Sequence, residues 1–132
     1  MAIQLGTTLR NARLDTIETT VGTTPHLIVR SGAQPADCAT ADSGSVIIDL
    51  TLPSDWANAA SGGTKTKLGT WSGTASGSFT AGHHRIKDSS STTTHLQGSC
   101  GTGTGDLSFD NAAIVSGQTV TINSYTFTEA NA

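Results

Sequence analysis

Three histidines lie close enough in sequence to raise the question of a metal site. His83, His84 and His95 fall within segment 82–99, whose pattern is that of a β-hairpin. Adjacent residues on a strand point to opposite faces, so His83 and His84 cannot act together on one face. The same register places Lys87 opposite His95, where its charge would repel a cation. The spacing therefore predicts no metal site.

Other residue types that support catalysis also lack the spacing they need. None of the 15 serines lies in a G-x-S-x-G elbow. Asp106 and Asp110 share one face of a predicted strand, but four residues of strand separate them by about 13 Å. A glycosidase pair needs carboxyl groups within roughly 5–10 Å. The run GTGTG at 101–105 precedes neither a helix pattern nor the lysine of a phosphate loop. These patterns predict a protein that is not an enzyme and binds no cofactor.

The predicted hairpin has two unlike faces. Ile86 is expected opposite Leu96, and His84 joins Ile86 on the inward face. The outward face would carry the polar side chains of this segment, namely His83, Arg85, Lys87, His95 and Gln97.

The segment before these strands predicts one helix, over about residues 8–21. Thr7 or Thr8 can cap its start and Gly22 can end it. Arg10 and Arg13 lie near its N-terminus, against the helix dipole. Either they have acidic partners elsewhere in this chain or on another, or solvent screens them. The apolar residues that recur at helical spacing are Leu5, Leu9, Ala12, Leu14, Ile17 and Val21.

After the helix the hydrophobic period changes to two, which predicts strands from about residue 26 to 128. The clearest ones, near 26–30 and 46–52, are separated by a loop at 31–44. We expect a mainly β fold, a single-domain antiparallel β-sandwich over residues 1–132 with one N-terminal α-helix.

The C-terminal segment changes strand parity between two apolar pairs. Val120 and Ile122 lie on one face, whereas Tyr125 and Phe127 lie on the other. If all four are buried, a β-bulge is needed near Asn123 and Ser124. Without a bulge, Tyr125 and Phe127 would form an external apolar patch.

Composition limits the partners. The net charge is −3, and no basic run is present to displace the counterions of a nucleic acid. No stretch of about 18 apolar residues predicts a membrane span. The first residues lack a secretory pattern, so we expect synthesis in a cytosol. In that compartment we expect Cys38 and Cys100 to be free thiols, with a disulfide between them as the alternative.

The supply of large apolar residues is small for a sandwich. We count 31 of them with the cysteines, against 38 Ser and Thr. Subunit contacts are therefore expected to supply part of the burial. The alternative is a compact monomer whose core is completed by Ala and by Thr methyl groups.

Four segments together resemble small structural proteins of tailed bacteriophages. They are LRNARLDTIETTVGTTPHLIVRSGAQPA (9–36), LTLPSDW (50–56), AGHHRIKDSSSTTTHLQG (81–98) and GDLSFDNAAIVSGQTVTINSYTFTEANA (105–132). Within that group the chain is most similar to capsid decoration, or cement, proteins. The resemblance implies a jelly-roll-like sandwich on the capsid exterior of the virion, bound to the major capsid protein as a small homo-oligomer, a dimer or trimer. It carries no catalytic residue.

A tail or adsorption-apparatus protein is the alternative within virion biology, with Trp56 at the rim of the fold stacking on a host surface glycan. In either case we expect contacts through the N-terminal segment and exposed aromatic residues. The predicted interface residues are Ile3, Leu5, Leu9, Arg10, Arg13, Trp56, Tyr125 and Phe127.

Overall fold

The structure, a computed structural model, describes residues 3–103, 105–110 and 113–129. Helix α1 spans Thr7–Val21 and ends as predicted at Gly22, whose φ of +89° suits a residue without a Cβ atom. The Gly22 N–H donates to the Glu18 carbonyl at 2.9 Å. The predicted threonine cap is wrong, because Gly6 occupies the N-cap position and no side chain caps the helix there.

Nine strands follow the helix in the described part of the chain. They are β1 (His26–Ser31), β2 (Val46–Thr51), β3 (Thr64–Thr66), β4 (Ser72–Thr74), β5 (Phe79–Lys87), β6 (Thr94–Thr102), β7 (Leu107–Phe109), β8 (Ala113–Ile114) and β9 (Thr119–Thr128). Their hydrogen-bonded order is β2-β1-β5-β6-β7-β9-β3, with β4 also paired to β9 and β8 to β5. The mainly β fold with one N-terminal helix is confirmed.

The strands form one curled, mixed sheet. Strand β4 is hydrogen-bonded to β9, far from β2 in the strand order, yet it packs against β2. The Leu50 side chain of β2 occupies the space that a Cβ atom on Gly73 of β4 would fill. The Ser76 N–H donates to the Ile47 carbonyl at 2.8 Å, which joins the same two regions. A sandwich of two packed sheets is not confirmed. The antiparallel prediction is wrong at one pair, since β6 and β7 run parallel.

The hairpin prediction is confirmed at its centre and wrong near its turn. Ile86 pairs with Leu96 between β5 and β6. The register then shifts, so that Lys87 lies opposite Thr94 and not opposite His95. The Asp88 carboxylate accepts the Thr92 N–H at 2.9 Å within the turn, and this hydrogen bond lowers the pKa of Asp88 to about 2.

The predicted bulge on the last strand is confirmed. Tyr125 pairs with Leu107 and Ser124 with Ser108, but the next partner of β7 is Ile122. Asn123 is thus the extra residue. The bulge changes the parity of β9, so that Ile122 and Tyr125 both enter the core.

One hydrophobic cluster joins the curled sheet, the end of α1 and the segment around Trp56. Cys38 and Cys100 are free thiols, and burial raises the pKa of Cys100 to about 11.

Candidate interaction surfaces and the buried ionic cluster

The aromatic residues predicted at the interface lie inside the protein. Trp56 is fully buried, its ring centroid 6.2 Å from that of Trp71 and 6.3 Å from that of Phe127. Its indole N–H donates to the Gly22 carbonyl at 3.0 Å, so its polar atom is satisfied without solvent. Tyr125 is buried and Phe127 half-buried in the same cluster. The prediction that Trp56 lies at the rim is wrong, because the end of α1 covers it.

Helix α1 contacts β3 and the segment before it through polar side chains, in addition to its buried Leu14 and Val21. Asn11, Asp15 and Glu18 follow one helical face and accept backbone N–H groups of residues 56–63. The Lys65 ammonium, which is buried, lies 2.9 Å from Asp15 and 3.0 Å from Glu18. The predicted apolar stripe is therefore wrong in part. Its members Leu14 and Val21 are buried, whereas Leu9 and Ala12 face outward.

The two helix arginines find their partner in the same chain. The Arg13 guanidinium lies 2.9 Å from the Glu129 carboxylate, and Arg10 donates to the Glu129 carbonyl at 3.3 Å. These contacts hold the N-terminal half of α1 beside the end of β9. Arg10 is half-buried, whereas the Arg13 side chain stays 54% exposed.

We expect Arg13→Gln to lower the free energy of unfolding by less than about 1 kcal/mol, because solvent screens an exposed ion pair. Urea denaturation of the variant beside the original protein measures the difference. A loss well above that figure would show that Arg13 contributes to folding and is unsuitable as a probe of binding alone.

Part of the predicted interface does lie on the surface. Ile3 is 84% and Leu9 52% exposed, and Leu9 shares a helix face with Arg13, four residues later. Leu5 is half-buried. We call Ile3, Leu9 and Arg13 the helix patch.

A second exposed apolar group was not predicted from the sequence. Phe79 is 44%, Val115 62% and Val46 36% exposed. Phe79 pairs with Ile114, the neighbour of Val115, and its ring lies beside Gly77 near the Val46 backbone. We call Val46, Phe79 and Val115 the strand-end patch. Strand alternation alone could not find it, because its members come from three separate segments.

The outward face of β5 is buried, against the sequence-based expectation. His83, Arg85 and Lys87 are all shielded from solvent. Asp42, from the loop between β1 and β2, accounts for much of this. Its carboxylate lies 2.9 Å from Arg85, 2.7 Å from Lys87 and 3.1 Å from Arg30. The charges of Asp42, Arg30, Arg85 and Lys87 are visible in the sequence. No local pattern, however, links Asp42 to Arg85 and Lys87, which lie more than 40 positions away.

Arg85 fastens the loop to the sheet. Its guanidinium donates to the carbonyls of Thr40, at 2.9 Å, and Asp37, at 3.0 Å, and to the Gln97 side chain at 2.9 Å. Burial raises the pKa of Asp42, but the hydrogen bonds from Lys87 and Arg85 and the charges of Arg30 and Lys87 outweigh burial and lower it overall. Asp42 is therefore ionised and holds three cations together.

His84 forms a buried polar pair with Tyr125. Its Nδ1–H donates to the Ser99 carbonyl at 3.1 Å, so Nε2 accepts the Tyr125 hydroxyl at 2.8 Å. Burial lowers the pKa of His84 to about 4 and raises that of Tyr125. A neutral imidazole with both nitrogens bonded and no solvent contact suits a structural role.

The described residues contain no group of three or more His, Cys, Asp or Glu arranged to hold a metal ion. No helix within residues 3–103, 105–110 and 113–129 is long and apolar enough to cross a membrane. Comparison with family models, curated proteins and solved structures finds no match to this chain.

Proposed function

We propose that this protein is a non-enzymatic structural protein of a tailed-bacteriophage virion, a decoration protein that binds the outside of the capsid and stabilises the shell. The observation that carries the proposal is the placement of the helix patch and the strand-end patch, which hold the exposed large apolar side chains of the described residues. Arg13 of the helix patch lies beside Glu129, just after β9, and the strand-end patch includes Val115, just before β9. A strand of this length separates them by about 30 Å.

Two patches at opposite ends of one strand allow one small protein to contact two neighbouring capsid subunits. Binding to the assembled shell but not to free subunits then stabilises the shell by mass action. Using both contacts at once raises the affinity well above that of either. Ser and Thr cover much of the remaining surface and, with a net charge of −3, disfavour adhesion to packaged DNA.

The proposed partners are the major capsid protein and further copies of this chain, as a dimer or trimer on the shell. The resemblance that suggested this function also implied a jelly-roll-like sandwich. The mainly β fold supports it, and the sandwich itself remains part of the proposal.

The first test is the copy number of this protein in purified virions, measured by quantitative mass spectrometry against the major shell protein, with cryo-electron microscopy of the particle. We expect many copies on the head. A few copies at the tail would overturn the decoration proposal and favour the adsorption alternative. In that case Trp56, being buried, could not be the residue that stacks on a glycan.

The second test asks whether the two patches make the contact. We expect Leu9→Ser with Arg13→Gln, and separately Phe79→Ser with Val115→Ser, each to lower the number of copies bound to shells by about tenfold at limiting concentration. Thr51→Ser, an exposed change at the end of β2 and outside both patches, serves as the control. Unchanged binding of both double variants, at normal thermal stability, would show that neither patch is the contact.

A further inference from the structure

A cavity of about 600 Å³ lies above the buried ionic cluster. Loop residues 38–42 form one wall and Thr92, Thr93 and Thr94 form the other, with Arg85 and Lys87 between them. We call it the cationic cavity. It is separate from the two apolar patches, and the proposed capsid contact makes no use of it.

The charges around this cavity are not balanced by direct ion pairs. Asp42 is the one carboxylate within 4 Å of Arg30, Arg85 or Lys87 in the described part of the chain. The four groups together carry a formal charge of +2. The side chains of the three cations are 14%, 2% and 10% exposed, in that order. Shielded charges without a counter-charge are costly, so this cluster favours a further anion.

Two other aspartates near the cavity are already engaged. Asp37 accepts the Thr40 N–H at 2.7 Å, and Asp88 accepts the Thr92 N–H at 2.9 Å. Neither forms an ion pair with Arg85 or Lys87 within the described residues. Their charges lower the positive potential of the cavity, but their side chains do not pair with its cations.

Hydrogen-bond donors remain uncommitted at the same place. The Lys87 ammonium has three N–H groups and, within residues 3–103, 105–110 and 113–129, one acceptor, Asp42 at 2.7 Å. The buried Nε–H of Arg85 has no acceptor in that part of the chain. The Thr93 hydroxyl, at the cavity wall, is also without a described partner. An ammonium group beside hydroxyl groups suits a ligand with several acceptor oxygens.

We propose that the cationic cavity binds an oxyanion, a phosphate or a carboxylate group, through the Lys87 ammonium and the Thr93 hydroxyl of the wall. Arg85 holds the loop in place and contributes charge. The ligand chemistry is the same for a free anion and for such a group presented by another molecule.

The test is thermal unfolding of the whole chain while sodium phosphate, or in a second series sodium acetate, replaces sodium chloride at constant ionic strength. For the preferred anion we expect the unfolding midpoint to rise once its concentration exceeds the dissociation constant, by about 5 °C at ten times that constant, and then to keep rising with the logarithm of the concentration. Lys87→Met should abolish this rise, whereas Lys67→Met, a lysine outside the cavity, should keep it. The anion that raises the midpoint at the lower concentration identifies the ligand group.

Asp42→Asn distinguishes an anion-binding cavity from a cluster that only stabilises the fold, because only the former predicts a gain in anion affinity. Removing the competing carboxylate should tighten anion binding by about tenfold or more, even though the variant is less stable. If Lys87→Met does not fold, amide shifts of the original protein in the same titrations replace it, with saturable changes expected at residues 38–42, 85–87 and 92–94. No rise of the midpoint with either anion beyond that seen in Lys87→Met, or, where that variant does not fold, no saturable amide shift at these residues, would overturn the proposal.

Discussion

Asp42→Asn is expected to lower the free energy of unfolding by about 2–3 kcal/mol, less than the usual loss for a fully buried ionic group because the Asp42 side chain is 26% exposed. The substitution keeps the size of the side chain but leaves three shielded cations without a carboxylate. It also weakens the attachment of the loop that covers Arg85. Urea denaturation in phosphate-free buffer measures the change.

Asp55→Asn is the matched control, since Asp55 is exposed and lies outside the cluster. We expect it to alter stability by less than about 0.5 kcal/mol. Limited proteolysis should show faster cleavage within residues 37–42 in Asp42→Asn alone. Equal stability of the two variants would mean that the cluster, although well formed, contributes little net free energy to the fold.

Acid is expected to destabilise the protein by about 3 kcal/mol between pH 6.5 and pH 4, through His84. In the folded state burial keeps the pKa of His84 at about 4, whereas the unfolded chain titrates near 6.5. Between these values the unfolded state binds the extra proton, so stability falls as the pH falls. Below about pH 4 both states are protonated and the loss from His84 levels off.

His84→Gln tests the assignment, because it removes this imidazole alone and leaves the other histidines in place. The difference in unfolding free energy between the original protein and His84→Gln should change with pH mainly from 6.5 to 4. The carboxylates whose pKa is lowered by hydrogen bonds and cations, Asp15, Asp37 and Asp42, lose their contribution only at still lower pH. A native-state imidazole titration of His84 near pH 6.5 would contradict the prediction directly.

The proposals on binding depend on different residues and can fail separately. The capsid contact uses Leu9, Arg13, Phe79 and Val115, whereas the cationic cavity uses Lys87 and Thr93. A protein that decorates shells without binding oxyanions would retain the first proposal and lose the second.

Local patterns in the sequence determined several features correctly. The helix ends at Gly22, Ile86 pairs with Leu96, and the last strand bulges at Asn123. Each follows from residues a few positions apart, through backbone freedom at a glycine, alternation of side chains, or a change of strand parity. The mainly β character follows from the same alternation.

The sequence by itself thus determined the elements and much of their local register, but the tertiary structure decided which faces are covered. Strand alternation predicted Arg85 and Lys87 on an outward face. The loop between β1 and β2, more than 40 residues earlier in the chain, nevertheless buries them through Asp42. Trp56 read as a rim residue, yet the end of α1 supplies the acceptor that lets it enter the core. Alternation distinguishes the two sides of a strand, whereas long-range packing determines what lies against each side, because ion pairs and hydrogen bonds between distant segments leave no periodic signal.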